Sequence, residues 1–210
     1  MEDTSALEDL RSLLRSHVGS SVLADIDRAA TGSIDDLTAA YTRLAAKAGR
    51  SALAAADPRF DRWTVDDVAR AVLLLARAET DRGAFADAAI ACYERGDSNE
   101  QRSWMRAVAL LPGPERFLPA VIDACRTNIL PLFEAIACEN PFPARYFPER
   151  NFNQMVLKAL FNAVALSRIA GLAGRQNVEL ARMAGDYASE RRAAGRTVPA
   201  DIGLAMMETP

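Results

Sequence analysis

The sequence predicts an all-α fold, and three observations carry that expectation. Apolar residues recur at spacings of three and four through most of the chain, the mark of helices with one buried face. Nowhere do four or more β-branched or aromatic residues alternate with polar ones, so no strand is expected. Gly or Pro interrupts the chain at short, fairly regular intervals, as between antiparallel helical neighbours. The expected architecture is antiparallel helix pairs stacked as an irregular, HEAT-like α-solenoid, or a compact orthogonal bundle. No strict period of the tetratricopeptide or ankyrin kind is present.

A first helix is expected over residues 5–17, where Leu7, Leu10, Leu13, Leu14 and Val18 form one stripe, and Gly19-Ser20-Ser21 breaks it. A second, over 22–30, ends near Gly32. Ser33 caps a third, with Asp35 and Asp36 in the first turn, where negative charge suits the helix dipole. It runs towards Lys47, and Gly49 can end it. Thr64 caps a strong helix whose buried side is marked by Val65, Val68, Ala69, Val72, Leu73, Leu75 and Ala76. Asp81-Arg82-Gly83 turns the chain into 84–95. Ser98 and Gln101 read as a capping box for a helix that stops at Pro112-Gly113-Pro114. Further helices are expected over 117–126, from Pro131 onward, from Asn151 or Asn153 through 166, and over 177–194. In the last of these Val178, Ala181, Ala184, Tyr187 and Ala188 mark the inner face, and a short turn of helix follows over 199–206.

With 210 residues, half of them apolar, the chain suits one domain or one domain with a helical extension. A composition break at Asp57-Pro58 suggests an N-terminal helical unit over 1–56 and a core over 57–210. The net charge of −3 is spread over interspersed acids and bases, which argues against a nucleic-acid partner. The acidic start is no secretory signal, and the apolar runs are too short to span a bilayer. A soluble, cytoplasmic protein without membrane insertion is expected. Cys92, Cys125 and Cys138 are odd in number and far apart, with no CxxC pair, so they read as buried free thiols. His17 is the sole histidine and reads as a C-terminal helix residue. No metal or cofactor is expected.

The stretch 139–164 stands apart. Pro141, Pro143 and Pro148 argue for a loop, and Phe142, Tyr146 and Phe147 should pack it down onto neighbouring helices. In the helix that follows, Asn151, Gln154, Lys158 and Asn162 share one polar stripe among apolar neighbours. That stripe either faces solvent or walls a cleft. As a cleft wall, Lys158 would hold a carboxylate, a phosphate or a phenolic oxygen, the amides would orient it, and Arg145 and Tyr146 would roof it. In a purely structural role, Lys158 would pair with Glu134 or Glu139.

Over roughly 130–204 the chain resembles the EboA family. The resemblance rests on Asn140-Pro141-Phe142-Pro143, on Tyr146-Phe147-Pro148, and above all on the run from Phe152 through Lys158 to Phe161. Arg168 to Leu172, Asn177 to Leu180, Asp186 to Arg196 and Val198 to Ile202 continue it, whereas the first 90 residues or so carry little. The resemblance implies metabolite traffic in secondary metabolism. It also implies a gene cluster with a TatD-like hydrolase, a UbiA-like membrane prenyltransferase and a sugar-phosphate cyclase-like enzyme. It implies no catalytic residue. The expected function is a non-catalytic helical protein that binds a small metabolite or a pathway partner protein. The alternative is an enzyme of unfamiliar type using Glu134, Glu139, Tyr146 and Lys158 in acid–base chemistry.

Overall fold

The computed structural model describes residues 3–53, 60 and 62–206. Among the described residues the fold is all-α, and extended pairing is confined to one isolated antiparallel bridge between Ala52 and Thr64. The chain divides into two compact units, Met1–Phe117 and Leu118–Pro210. The boundary expected between 56 and 57 lies outside the described residues.

The first unit comprises α1 (Asp3–Arg15), α2 (Ser20–Ala30), α3 (Ile34–Ala48), α4 (Val65–Thr80), α5 (Phe85–Glu94) and α6 (Ser98–Ala107). The other five pack against α4, and every residue of 65–78 is buried. A helix buried all round is ordinarily apolar all round. This one carries Asp66, Asp67, Arg70 and Arg77 into the interior, and each charge finds a partner there. Arg70 donates to Asp66 at 2.7 Å, to Ser103 Oγ at 3.1 Å and to the Tyr41 carbonyl at 3.0 Å. Asp67 accepts from Ser103 Oγ at 2.5 Å and from the Thr64 N–H at 2.9 Å, and it pairs with Arg106. Arg77 reaches the end of α2, donating to the carbonyls of Ala30 at 3.2 Å and Gly32 at 2.7 Å. Buried charges persist only when paired and hydrogen-bonded, and here the pairing fixes how α3 and α6 seat on α4.

Burial alone would raise the Asp67 pKa, but Arg106, Ser103 and Thr64 together hold it below the ordinary 3.8. The stabilisation from a depressed carboxylate pKa is complete above the unfolded value and is lost as pH falls through the folded one. The unfolding midpoint is therefore expected to fall as pH drops below about 4, and Asp67→Asn should flatten that part of the profile while lowering stability at neutral pH. Thermal melts of both proteins from pH 7 to pH 3 check it, and parallel profiles would contradict the assignment.

The capping box of α6 sits one residue earlier than expected. Asp97, not Ser98, accepts from the Asn99 and Glu100 N–H groups at 2.8 and 2.9 Å, and Glu100 accepts from the Asp97 N–H at 3.0 Å. A carboxylate is the stronger acceptor at a helix N-terminus, and Glu100 completes its box where Gln101 would have completed that of Ser98. Trp104, fully buried, donates to the Ala89 carbonyl at 2.8 Å and meets the Phe117 ring edge-on at 5.2 Å.

The second unit comprises α7 (Leu118–Ala124), α8 (Leu130–Ala137), α9 (Phe142–Tyr146), α10 (Glu149–Phe161) and α11 (Val178–Ala193), with 3-10 turns at Leu166–Arg168, Leu172–Arg175 and Ile202–Ala205. The stretch expected to be a loop contains α9. Pro143 occupies its first turn, where a missing N–H leaves no bond unmade and the fixed φ suits the helix. α10 begins at Glu149, with Pro148 as its N-cap, rather than at Asn151 or Asn153. Phe142 and Phe147 are buried, as expected. Val178 departs from the expected inner face. It is 74% exposed, and Leu180, Ala184, Tyr187 and Ala188 form the buried side of α11. Among the described residues no helix is long and apolar enough to cross a membrane.

Candidate functional site

The polar stripe of α10 runs past the end of α7. The Lys158 ammonium donates to the carbonyls of Cys125 and Thr127, each at 2.6 Å, and lies 5.0 Å from the centroid of the Phe133 ring. The carbonyls that end a helix are unsatisfied within it and carry the negative pole of its dipole, and a ring face attracts a cation. Lys158 thus acts as a side-chain cap for α7.

A cavity of about 160 Å³ opens beside this contact, lined by Asn151, Gln154 and Lys158 of α10 together with Ile122, Cys125, Arg126, Phe147 and Met155. Three members of the expected site therefore meet in one cleft. Asn162 lies outside it, exposed at the C-terminus of α10, where its Nδ2 donates to the Lys158 carbonyl at 2.9 Å. Arg145 and Tyr146 do not line the cavity. Arg145 is exposed, and Tyr146 packs on Phe142 with ring centroids 4.9 Å apart. Arg126 is the charged lining residue that periodicity did not single out, because it sits in the turn after α7 and not on the stripe of α10. Cys125, half-buried in the cleft wall, has its thiol pushed up to about 12 by burial, with Lys158 opposing, and is protonated at neutral pH.

Neither acid expected to pair with Lys158 does so. Glu134 and Glu139 both engage Arg168, at 3.3 and 2.8 Å, and the hydrogen bonds that Arg168 donates to Glu139 strengthen the guanidinium's hold on its proton. Those two acids, Tyr146 and Lys158 are committed to different partners.

The aromatic segment above the cleft is fastened from both sides. Asn140 is buried and donates to the Ala135 carbonyl at 3.0 Å while accepting from the Phe142 N–H at 3.0 Å, joining α8 to α9. Arg175 donates to the carbonyls of Ala144 at 2.7 Å and Phe147 at 2.8 Å and covers the Phe152 ring at 4.6 Å. Gly171 has φ +74, and a Cβ there would come within 2.7 Å of Ala144 Cβ, so the close approach of this turn to α9 requires glycine. Asn153 and Asn177 exchange a reciprocal pair of amide hydrogen bonds at 3.0 Å, and Asn177 also caps α11 by accepting from the Leu180 N–H at 2.8 Å. Among the described residues no group of three or more His, Cys, Asp or Glu side chains could hold a metal ion.

Fold and site together define an all-α protein with a small polar-walled cleft beside a pinned aromatic segment. The chain belongs to the EboA family, described as metabolite traffic protein EboA, which it matches over residues 33–207. The match reaches far upstream of residue 130, so it takes in α3 through α6 of the first unit as well as the motif-rich second unit. No curated protein and no solved structure matches the chain.

Proposed function

We propose that the chain is a non-catalytic binding protein of secondary-metabolite traffic, and that it holds one end of a small metabolite in the cleft beside α10. The observation that carries this reading is the composition of the cleft walls. Amides from Asn151 and Gln154 and the guanidinium of Arg126 face the apolar surfaces of Ile122, Phe147 and Met155. Ligand pockets combine a few convergent polar groups with apolar walls in this way. At about 160 Å³ the cavity takes a carboxylate or phenolic head and a short apolar stem, with the rest of the molecule outside. A non-catalytic role agrees with an ammonium already bound to two carbonyls and with a thiol too basic to ionise at neutral pH.

A pathway partner protein, such as a cytoplasmic enzyme of the same gene cluster or its membrane prenyltransferase, is the second reading. The exposure of Ile129 and Leu130, on the turn that enters α8, favours it.

The test separates cleft from scaffold. Lys158→Ala leaves two helix-end carbonyls without their donor and should cost about 1–3 kcal/mol, so loss of function in it alone is ambiguous. Gln154→Leu keeps the shape and should leave the melting temperature within about a degree, since exposed substitutions seldom exceed ~0.5 kcal/mol. The expected result for Gln154→Leu is weakened binding of 4-hydroxybenzoate in ligand-observed NMR and reduced metabolite output from cells. Unchanged output with an unchanged melting temperature would exclude the cleft. Retained output that is lost on Leu130→Asp would favour the partner protein.

A further inference from the structure

A second cavity, in the first unit, is lined by Arg82 and Arg116 with Ala78, Phe85, Pro112 and Gly113, and measures about 220 Å³. Its two positive charges are uncommitted. The larger cavity between α2 and α3 has Arg28 and Lys47 at its edge, and both are paired with Asp25. In the α10 cleft the Lys158 ammonium is held by carbonyls. Here, among the described residues, neither guanidinium is engaged in an ion pair or a side-chain hydrogen bond, and no acid lines the wall. Two arginines beside one concave, partly apolar surface repel each other unless an anion lies between them.

The backbone is shaped to allow this. Gly113 has φ +61, and a Cβ at that position would meet Arg116 Nε at 3.2 Å, so glycine lets the Arg116 side chain fold back over its own turn. Pro112 and Pro114 restrict the backbone on either side of that turn, which lowers the entropy lost when a ligand is held. Phe85 and Ala78 supply the floor. The nearest acid in this turn is Glu115, whose Oε1 lies 3.6 Å from the same point beside Gly113.

We propose that this cavity is a binding site for a small phosphate-bearing ligand, with the guanidiniums of Arg82 and Arg116 gripping the phosphoryl oxygens. Arginine's planar fork matches phosphate geometry, and a dianion satisfies both side chains at once. The site is independent of the α10 cleft and stands or falls separately from it.

The experiment is calorimetric titration of the full chain at low ionic strength with inorganic phosphate, phenyl phosphate, sulfate and chloride. Saturable binding of phosphate or phenyl phosphate is expected, weakening as salt is raised. Phenyl phosphate binding tighter identifies an ester, and inorganic phosphate binding as well or better identifies free phosphate. Arg82→Ala and Arg116→Ala should each weaken binding about tenfold, as loss of a charge-assisted contact does. Both side chains are exposed, so melting temperatures should hold. Glu115→Gln should tighten binding by removing the nearby negative charge. Absence of saturable binding, equal binding of all four anions, or undiminished binding by the Arg82→Ala, Arg116→Ala double variant would each overturn the proposal.

Discussion

Replacing Arg70 with Ala is expected to cost about 3–5 kcal/mol, the range for removing one partner of a buried charge pair. The side chain is buried within α4 and engages Asp66, Ser103, the Tyr41 carbonyl, the Glu100 carboxylate at 4.0 Å, and the Tyr41 ring at 5.3 Å. Its loss leaves Asp66 charged and buried, with only Thr64 Oγ1 at 2.6 Å donating to it from a side chain. The two compact units can unfold in separate transitions, so the variant should be read by denaturant unfolding with a probe in the first unit, such as Trp104 fluorescence. Arg70→Met with Asp66→Leu should recover much of the loss, since hydrophobic replacement of a whole buried pair is often neutral or better. A shift below about 1 kcal/mol for Arg70→Ala would mean that the network is replaceable by water and does not hold α3 and α6 in place.

A related device recurs with backbone carbonyls as the acceptors. Lys158 closes the end of α7, Arg77 the end of α2, and Arg175 the end of α9, each donating to two carbonyls at or just beyond the helix end, and Arg77 also pairs with Asp81 at 3.5 Å. This explains why Lys158 interrupts an apolar helix without any acidic partner. A cation placed at another helix's C-terminus gains the dipole and two hydrogen bonds, and its stem packs among apolar neighbours.

These contacts also mark the limit of what the sequence discloses. Features written within one turn of helix were legible: the Ser33 cap of α3, the Thr64 start of α4, and the polar stripe of α10. The errors at Asp97 and Pro143 are local ones, a register of one residue and a proline rule applied without regard to position in the helix. What could not be read is pairing at a distance. Lys158 finds carbonyls 33 and 31 residues away, and Arg77 finds one 47 residues away, and carbonyls carry no sequence signature. The cleft was half legible for this reason. The three residues sharing the stripe were found, while Arg126 and Ile122 come from the turn after α7 and from α7 itself. Several residues that carry the family resemblance prove to be fastenings: Asn140, Gly171, Asn177, and Asp201, which accepts from the Leu166 N–H at 2.6 Å.

Phe142→Ala is expected to cost about 3–5 kcal/mol, because it empties a wholly buried site that the fastened backbone cannot collapse to fill. The ring packs against Tyr146 at 4.9 Å and meets Phe147 edge-on at 6.3 Å, so it joins both ends of α9. Asn140 and Arg175 hold that backbone by hydrogen bonds and would keep the cavity open after truncation. Phe161→Ala is the matched control. Its ring is 63% exposed and has one aromatic neighbour, Tyr187 at 4.8 Å, so the expected cost is about 1 kcal/mol or less. Phe147→Ala completes the comparison, since Phe147 is both buried and part of the cleft wall. At a temperature where all three variants remain folded, Phe147→Ala should weaken ligand binding, and Phe161→Ala should leave it unchanged. Phe142→Ala decides how the segment acts. If α9 only carries Phe147 to the cleft, binding should weaken in step with local hydrogen-exchange protection over α9. Full protection with weakened binding would instead place Phe142 in direct contact with ligand. A cost under about 1 kcal/mol for Phe142→Ala would mean that α9 readjusts after truncation and that the aromatic segment is not the fixed wall the cleft requires.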